Sequence, residues 1–352
     1  MPNHSGQGPG TVEAWDASRD TRAFHDGLVV IDALQYSNWD RETLEELRQG
    51  GLTCVHVTCA IWDDARTTLD NVGAWYRRLR DNSDLLMPVR DGTAIEAAKA
   101  QGRVGIVLGF QNASPIEDDL ALVEVFHRLG VRIIQLTYNN QSLLGGGCYE
   151  PLDSGLSRFG RQVVREMNRV GMLVDLSHVG EQTCRDAIEA SRRPVAITHA
   201  NPATFHPHPR NKSDGVLRAL SERSGVLGCT PYPHLTGSPD VTIDKWTEMI
   251  ARAVDLMGIG AVGIGSDSSR KWPDDTLRWI RMGRWTHEVD YGAGKPGQTS
   301  WSPWPNWFRT PADFPRLTAG LHDRGFSRDE VAAIMGGNWL RLFGEAFQPA
   351  SA

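Results

Sequence analysis

Apolar residues recur along this chain as short continuous runs, separated by stretches in which they return every three or four positions. Continuous runs predict strands buried on both faces, and the wider spacing predicts amphipathic helices. The runs predict eight strands, at 28–34, 52–60, 104–112, 132–139, 172–178, 194–200, 225–233 and 261–268. Helical stretches separate the strands, at 41–49, 68–80, 91–101, 118–129, 157–170, 180–191, 213–223 and 243–257.

Eight strand–helix units in 352 residues predict the α/β class and a (β/α)₈ (TIM) barrel, with an open, doubly wound parallel sheet as the alternative. We expect residues 1–20, which are polar and rich in glycine, to form a flexible arm, and residues 21–352 to form a single domain. The segment 311–345 predicts three terminal helices, with Asn338 capping the last.

An insertion at 270–309 interrupts the alternation after the eighth strand, and it holds six of the twelve tryptophans. Two interpretations stay open for this Trp-rich insertion. It could be a packed subdomain or a dimer contact, because aromatic patches commonly mark interfaces. It could also be a lid over the active site, with indoles facing an apolar or cationic substrate group.

Charge and composition exclude some classes of function. A formal net charge of −6 gives no electrostatic reason to bind nucleic acid or an anionic membrane. The chain has no apolar stretch of the ~18 residues that span a bilayer and no signal-peptide pattern at its start, which predicts a soluble cytoplasmic protein. Its five cysteines are scattered, so we expect reduced buried thiols rather than a zinc ribbon.

Polar side chains follow the predicted strands, at the edge where α/β barrels carry their active sites. The fifth and sixth strands each close on a histidine, His178 and His199, and the helix between them makes the two strands parallel neighbours. With Asp267 after the eighth strand, the two imidazoles predict a metal site or an acid–base set. The other strand-end candidates are Leu34, Tyr36, Thr58, Gln111, Asn112, Tyr138, Asn139 and Thr230.

Two further sequence features bear on the chemistry. Arg210 follows the loop histidines His206 and His208, and it is a candidate clamp for a substrate carboxylate, with a surface ion pair as the alternative. The chain contains no GxSxG elbow and no Cys/His pairing signal, so covalent catalysis has no support.

These motifs together resemble the renal (membrane) dipeptidase family of metallopeptidases, peptidase family M19, within the amidohydrolase-like barrels. The resemblance runs from about residue 28 to 345, and its most specific pieces are VDLSHVGEQT, PVAITHAN, HPRNKSD, GIGSD, LGVRIIQLTYN and IMGGNWLRLF. It implies a (β/α)₈ barrel that cleaves dipeptides with two bridged zinc ions.

Part of the family's site is matched. The resemblance implies that His178 and His199 hold the second metal and that Asp267 handles the proton of the nucleophilic water. It also implies that Arg210, beside Asn211, grips the substrate carboxylate. The half of the family's site that holds the second metal is therefore expected here.

The other half departs from the family. Where relatives read Asp-Gly-His-Asn-Asp after the first strand, this chain has Leu34 and Tyr36 at the two ligand positions. Gln111 stands for the bridging glutamate, and Tyr138 for the histidine that polarises the substrate carbonyl. Losing one ion together with the carboxylates at 36 and 111 keeps the charge balanced, which predicts a site rebuilt for one metal or none.

The resulting hypothesis is a dipeptidase-like hydrolase with one zinc or other divalent ion on His178, His199 and Gln111, acting on a small dipeptide or N-acyl amino acid. Asp267 and Tyr138 are the predicted catalytic residues, and Arg210, Asn211 and Tyr36 the predicted substrate contacts. The alternative is a non-hydrolytic or metal-free enzyme, or a substrate-binding pseudo-peptidase, on the same barrel. A small-molecule substrate is the expected partner, and a homodimer stays open.

Overall fold

The computed structural model describes residues 19–283, 292 and 298–349. Within them the chain forms nine strands. In chain order they are β1 (Ile31–Gln35), β2 (Cys54–Thr58), β3 (Leu86–Pro88), β4 (Val104–Phe110), β5 (Val131–Gln135), β6 (Leu173–Asp175), β7 (Ala196–Ala200), β8 (Val226–Cys229) and β9 (Val262–Ile264).

Helices connect the strands and extend the chain beyond β9. They are α1 (Arg19–Gly27), α2 (Arg41–Gln49), α3 (Ala65–Asp81), α4 (Gly92–Ala100), α5 (Ala121–Arg128), α6 (Arg158–Val170), α7 (Glu181–Ala190), α8 (Asp214–Glu222), α9 (Pro233–Thr236), α10 (Ile243–Met257), α11 (Asp274–Met282), α12 (Phe314–Asp323), α13 (Arg328–Ala332) and α14 (Asn338–Ala346). Short 3₁₀ turns cover Ser114–Ile116, Ile259–Ala261 and Pro311–Asp313, and a π-helical turn covers Ala333–Gly337.

The sheet is parallel and closes on itself. Its strand order is β1-β2-β4-β5-β6-β7-β8-β9, with the short β3 paired beside β4. Closure comes from backbone hydrogen bonds between the ends of β1 and β9, where Tyr36 donates to Ser268 and Asp267 donates to Leu34. This confirms the predicted (β/α)₈ barrel and rules out the open sheet. The predicted eight strands are the eight of the barrel. β3 was missed because, unlike the equally short β6 and β9, it is only partly buried and ends on a proline, so no continuous apolar run marks it.

Local capping signals explain where many of the helices begin. The side chains of Asp40, Asp64, Ser157, Ser213 and Thr242 each accept a hydrogen bond from a backbone N–H in the first turn of the helix that follows. Such caps stabilise a helix by about 1 kcal/mol each. The helices around the barrel are therefore fixed largely by short-range sequence, in agreement with the predicted boundaries.

The amino-terminal end of the barrel is closed by α14. Trp339 is fully buried there, and its indole N–H donates to the carbonyl of Ile264 at 3.0 Å. The prediction that Asn338 caps this helix is wrong: its side chain donates to the carbonyls of Ile259 and Val262, both at 2.7 Å. Burial of those carbonyls requires a donor, and Asn338 supplies it. Since α14 closes the amino-terminal end, a substrate can enter the barrel only at the carboxyl ends of the strands, where barrels of this kind carry their active sites.

Two sequence predictions fall partly outside the described residues. Residues 1–18 of the predicted arm are not described, and α1 begins at Arg19, inside the range predicted as arm. Of the tryptophans in the insertion, Trp285 also lies outside the described residues. Among the described residues, no helix combines the length and apolar character needed to cross a membrane.

Candidate active site

A narrow cavity of about 50 Å³ opens at the carboxyl ends of the strands. Its walls bring together side chains from the ends of several strands and from α11. Gln111, Tyr138, His178, Arg210 and Asp267, all predicted from the sequence, line it, as does Tyr36. A barrel places residues from distant parts of the chain at one mouth in this way.

The two strand-end histidines meet beneath this cavity. Strands β6 and β7 pair in parallel, and the Nε2 atoms of His178 and His199 lie 3.0 Å apart. His178 is 5% exposed and His199 is fully buried. Burial lowers the pKa of both imidazoles well below the ordinary value, and the nearby Arg210 charge lowers it further, so both rings are neutral.

Hydrogen bonds at the opposite side of each ring fix the tautomers. The Nδ1 of His178 faces the amide oxygen of Asn139 at 2.6 Å, so this nitrogen carries the proton. The Nδ1 of His199 lies 2.8 Å from the Thr198 hydroxyl, which itself donates to Asp175 at 2.7 Å. Because the Thr198 hydroxyl already donates its only proton to Asp175, it can only accept a hydrogen bond from His199, so the Nδ1 of His199 carries a proton. Both Nε2 atoms are therefore left as bare acceptors that face one another.

Such a pair of acceptors suits a shared cation. Two nitrogens bound to one zinc ion at about 2.0–2.1 Å would lie roughly 3.0–3.4 Å apart, and the observed separation falls at the lower end of that range. Fixing the remote nitrogen by a carbonyl or hydroxyl is also how metal-binding histidines are normally oriented. The residues present thus fit a metal ion as two ligands. Among the described residues, no cluster of three or more His, Cys, Asp or Glu side chains could hold one.

Asp267 supplies the carboxylate of the site from the turn after β9. Burial raises its pKa from the ordinary 3.8 to about 7, while Arg210 opposes this rise and the carboxylates of Asp32 and Asp175 add to it. Its backbone is left-handed, with φ of 57°, a conformation that Asp and Asn tolerate better than most residues. A carboxylate that titrates near neutral pH is matched to general-base chemistry.

Tyr138 covers one side of the imidazole pair. Its ring stacks on His178, with centroids 4.0 Å apart and an interplanar angle of 20°. Burial, with a further contribution from Asp267, raises its pKa well above the ordinary value, so the phenol stays protonated. A protonated phenol beside a histidine pair can donate a hydrogen bond to a developing oxyanion.

Arg210 and Asn211 differ in what they can offer a substrate. Arg210 lines the cavity, and two of its donors already hold the carbonyls of Ser177 and His199, at 2.5 and 3.1 Å. Those bonds fix the guanidinium and leave its other N–H groups for a carboxylate. Asn211 does not line the cavity. Its amide bonds the backbones of Asn201, His206 and Leu235, which gives it a loop-positioning role in place of the predicted substrate contact.

Comparison with known proteins places this geometry in a family. Residues 32–275 match the family described as membrane dipeptidase (Peptidase family M19), which is more than half of the 352 residues. The chain belongs to the membrane dipeptidase family. This membership confirms the predicted class of a dipeptidase-like hydrolase of peptide bonds, for which the family implies a metal cofactor.

Individual relatives agree with the assignment. The chain is 28% identical to the dipeptidase aclJ of Aspergillus oryzae over 318 residues, covering 85% of this chain and 68% of that protein. It is 30% identical to the dipeptidase verJ of Clonostachys rogersoniana over 257 residues, covering 67% and 66%. The chain thus spans about two thirds of their length. A crystal structure of an amidohydrolase from Pseudomonas aeruginosa superposes with a TM-score of 0.87 at 39% identity, covering 93% of this chain and 99% of that one.

The side of the site that carries Leu34, Tyr36 and Gln111 is built from uncharged groups. Leu34 is fully buried and presents no donor atom. Gln111 donates its amide N–H to the Thr58 hydroxyl at 2.9 Å. This bond fixes the orientation of the amide and leaves its oxygen without a hydrogen bond to the described residues. Tyr36 stacks on Trp272, with centroids 4.7 Å apart. Apolar and aromatic packing thus occupies much of this side of the site.

On the same side of the barrel, Asp32 in β1 has a structural role. Asp32 is fully buried and accepts hydrogen bonds from the backbone N–H and hydroxyl of Ser266 and from Gln35. Burial raises its pKa to about 6, although these hydrogen bonds oppose the rise. Its hydrogen bonds to Ser266 connect β1 to the turn that carries Asp267, and so help to position Asp267.

Sequence reasoning missed the residues that come from outside the strand-end pattern. Arg281 is 2% exposed and reaches the cavity from α11, in the Trp-rich insertion, and Tyr232 reaches it from the segment after β8. Only the three-dimensional path of the insertion brings Arg281 here. A signal for Tyr232 existed, because it closes a predicted strand.

The described residues of the Trp-rich insertion include a part that lines the catalytic cavity and a part that packs against the barrel. Trp301 lines the cavity together with Leu277 and Ile280, so this part covers the barrel mouth. Trp304 lies behind the cavity wall, with its ring 5.7 Å from that of Tyr232 and 5.9 Å from that of Phe308. Trp307 packs away from the cavity, against Trp246 at 5.3 Å between centroids. The first part is a cover over the site, and the second anchors it to the barrel.

The loop histidines do not join the catalytic pair. His206 and His208 line a separate open cavity together with His234. The Nδ1 of His208 accepts the backbone N–H of Arg210 at 3.2 Å, so this ring helps to shape the turn that presents the arginine.

Proposed function

We propose that this membrane dipeptidase family member hydrolyses the amide bond of a dipeptide or N-acyl amino acid, using one divalent ion held by His178 and His199. The observation that carries the proposal is the pair of bare Nε2 acceptors, 3.0 Å apart, with both tautomers fixed from behind. An ion bound there would supply Lewis-acid chemistry and bring water to a pKa of about 7. Gln111 is the candidate for a third, weaker ligand through its amide oxygen.

The remaining roles fall to residues that line the same cavity. Asp267 takes the proton of the attacking water, because its raised pKa makes it a competent base near neutral pH. Tyr138 donates a hydrogen bond to the oxygen of the substrate carbonyl as negative charge develops on it. Arg210 binds the substrate carboxylate with the N–H groups that the backbone carbonyls leave unused. Tyr36 forms the wall on the side where other family members have a ligand.

Metal content and hydrolysis test the proposal together. Wild-type protein, purified without chelators or immobilised metal, is expected to bind divalent metal stoichiometrically and to cleave dipeptides. The double variant His178→Ala/His199→Ala should lose both properties. His206→Ala/His208→Ala is the matched control, because it also removes two histidines but from the separate cavity, and it should keep the metal.

Wild-type protein that takes up no stoichiometric metal, even after incubation with zinc, would refute the single-ion proposal. Equal metal content in both double variants would place the ion elsewhere on the chain. Retention of full turnover by Asp267→Asn would remove the proposed base.

A second candidate function has its own observation. Among the described residues only two imidazoles, and no third His, Cys, Asp or Glu, come together at this point. One proton taken up between the two Nε2 atoms would also bridge them, although it would give the pair a positive charge that burial and Arg210 oppose. In this case His178, His199, Asp267 and Tyr138 would perform metal-free acid–base chemistry or bind a ligand without cleaving it. Hydrolysis that survives removal of all metal would favour this alternative.

A further inference from the structure

The catalytic cavity contains a second arginine besides Arg210, the proposed clamp for the substrate carboxylate. Arg281 lies near the end of α11 and lines the same cavity. The two arginines are equally buried, at 2% exposed each. A guanidinium carries five N–H donors, so it can be held in place by its surroundings and still donate two hydrogen bonds to a carboxylate. Arg281 can therefore bind a substrate in the way proposed for Arg210.

The contacts of α11 keep Arg281 in the cavity wall. The indole N–H of Trp62 donates to the carbonyl of the preceding residue, Ile280, at 3.0 Å. Trp62 packs edge-on against Tyr138, with centroids 5.3 Å apart, and these three side chains belong to one buried apolar cluster. Gly292 also lines the cavity, and a Cβ there would lie 2.6 Å from the Cγ and 3.1 Å from the Nη1 of Arg281. The glycine thus leaves room for this arginine.

Both guanidinium charges act on the same part of the cavity. Burial raises the pKa of the Tyr232 phenol and Asp267 adds to the rise, whereas the charges of Arg210 and Arg281 both oppose it. Arg210 projects from the barrel, where it donates to the carbonyl of His199, and Arg281 projects from the cover formed by α11. A substrate residue whose carboxylate is held by Arg210 therefore lies close to a second positive charge.

The described lining carries little negative charge against these two arginines. Asp267 is the only carboxylate among the described residues that line the cavity. Burial raises its pKa to about 7, so it is only partly ionised near neutral pH. Two like charges at a buried site repel one another more strongly than they would in water. An occupant with two negative charges would be attracted by both arginines, and a cation at the histidine pair would strengthen that attraction.

We propose that the substrate carries two carboxylates, and that Arg210 binds the α-carboxylate while Arg281 binds a carboxylate on the side chain of the same residue. The preferred substrate is then a dipeptide or N-acyl amino acid that ends in aspartate or glutamate. The carboxyl-terminal residue is the one assigned, because Arg281 faces the part of the cavity that Arg210 also faces. The inference rests on the proposed function, since it names the substrate class of that same site.

Kinetics with matched dipeptides test the inference on the whole, metal-loaded protein. Ala-Glu and Ala-Gln have the same shape and differ in the second carboxylate, and each is made with both enantiomers of its second residue. The ratio of their kcat/KM values should favour Ala-Glu about tenfold, because a charge-assisted hydrogen bond replaces a neutral one. Arg281→Met should bring this ratio close to one, and Arg281→Lys, which keeps the charge, should retain a preference for Ala-Glu.

Arg278→Met is the matched control. Arg278 is exposed on the same helix and does not line the cavity, so its loss removes an equal charge and should leave the ratio as in the wild type. The comparison of Ala-Glu with Ala-Gln in the wild type needs no variant. It therefore decides the question even if Arg281→Met does not fold.

Binding separates a failure of this inference from a failure of the proposed function. Calorimetry on Asp267→Asn measures affinity without cleavage, and Ala-Glu should bind about tenfold more tightly than Ala-Gln. If the wild type cleaves no dipeptide but shows this preference in binding, the proposed hydrolysis fails and the role of Arg281 stands. Equal kcat/KM and equal binding for the two dipeptides would overturn the inference. A preference that a folded Arg281→Met retains, or one for Glu-Ala over Gln-Ala in its place, would overturn it as well.

Discussion

Replacing Asp267 by Asn is expected to stabilise this protein while removing its proposed base. Burial raises the pKa of Asp267 from 3.8 to about 7, so the folded protein holds this proton more tightly than the unfolded chain does. A tenfold change in an acid dissociation constant corresponds to about 1.36 kcal/mol, so ionising the group costs roughly 4 kcal/mol more in the folded state. Asn carries no charge, and it tolerates the left-handed backbone at this position as Asp does.

The sign of the pH dependence follows from proton binding. Below pH 3.8 the carboxyl is protonated in both states and costs nothing. Between about 4 and 7 the unfolded chain has lost the proton and the folded protein keeps it, so the free energy of unfolding falls as the pH rises. Above about 7 both states are ionised and the cost of about 4 kcal/mol is constant.

The assay is urea unfolding of wild type and Asp267→Asn in the presence of a chelator, at several pH values from about 4 to 8. The free energy of unfolding of the variant should exceed that of wild type by an amount that grows up to about pH 7 and then levels off. Other carboxylates are common to both proteins and cancel in the difference. A difference that does not change with pH would refute the reasoning that burial controls this group.

The same group gives a kinetic prediction. If Asp267 acts as a base, kcat/KM should rise with pH through its pKa, because only the carboxylate accepts a proton. A cation at the histidine pair would stabilise that carboxylate and lower its pKa. The rise in activity should therefore lie below about pH 7 in the metal-loaded enzyme. A profile that falls through this range would contradict the assignment of Asp267 as the base.

Three further substitutions probe the site and its cover. Tyr138→Phe should lower kcat about 10²-fold with little change in KM, because the hydrogen bond is needed only as charge develops; an unchanged kcat in steady-state kinetics would exclude the role. Thr198→Val should weaken metal binding about 10–100-fold by releasing the tautomer of His199, and Thr198→Ser should restore it when metal affinity is titrated. Trp301→Ala should change KM without much effect on stability, whereas Trp307→Ala should cost about 2 kcal/mol in denaturant unfolding with KM unchanged; the reverse pattern would contradict the division of the insertion into cover and anchor.

Most of the barrel was predictable because its signals are local. Continuous apolar runs identify strands that are buried on both faces, and capping residues such as Asp64 and Ser213 mark where helices begin. The βα alternation then leaves few topologies. Two elements were not predicted: β3, which is partly exposed and ends on Pro88, and α1, which begins within a segment predicted as a flexible arm.

The sequence by itself also determined the chemistry of the strand ends. His178, His199 and Asp267 follow predicted strands, and parallel strands must bring such residues to one edge. It is likewise evident from the chain itself that Leu34 and Tyr36 carry neither a carboxylate nor an imidazole. These conclusions need only the order of the strands and the residue at each end.

Tertiary structure alone decided how these groups work together. The tautomers of the imidazole pair depend on Asn139 and on Thr198 with Asp175, which are hydrogen-bond partners and not a motif. The raised pKa of Asp267 depends on its burial. The edge-on packing of Trp62 against Tyr138 depends on how two loops and α11 come together. Direction, burial and distance between residues far apart in the chain arise only when the barrel closes, so no local pattern can encode them.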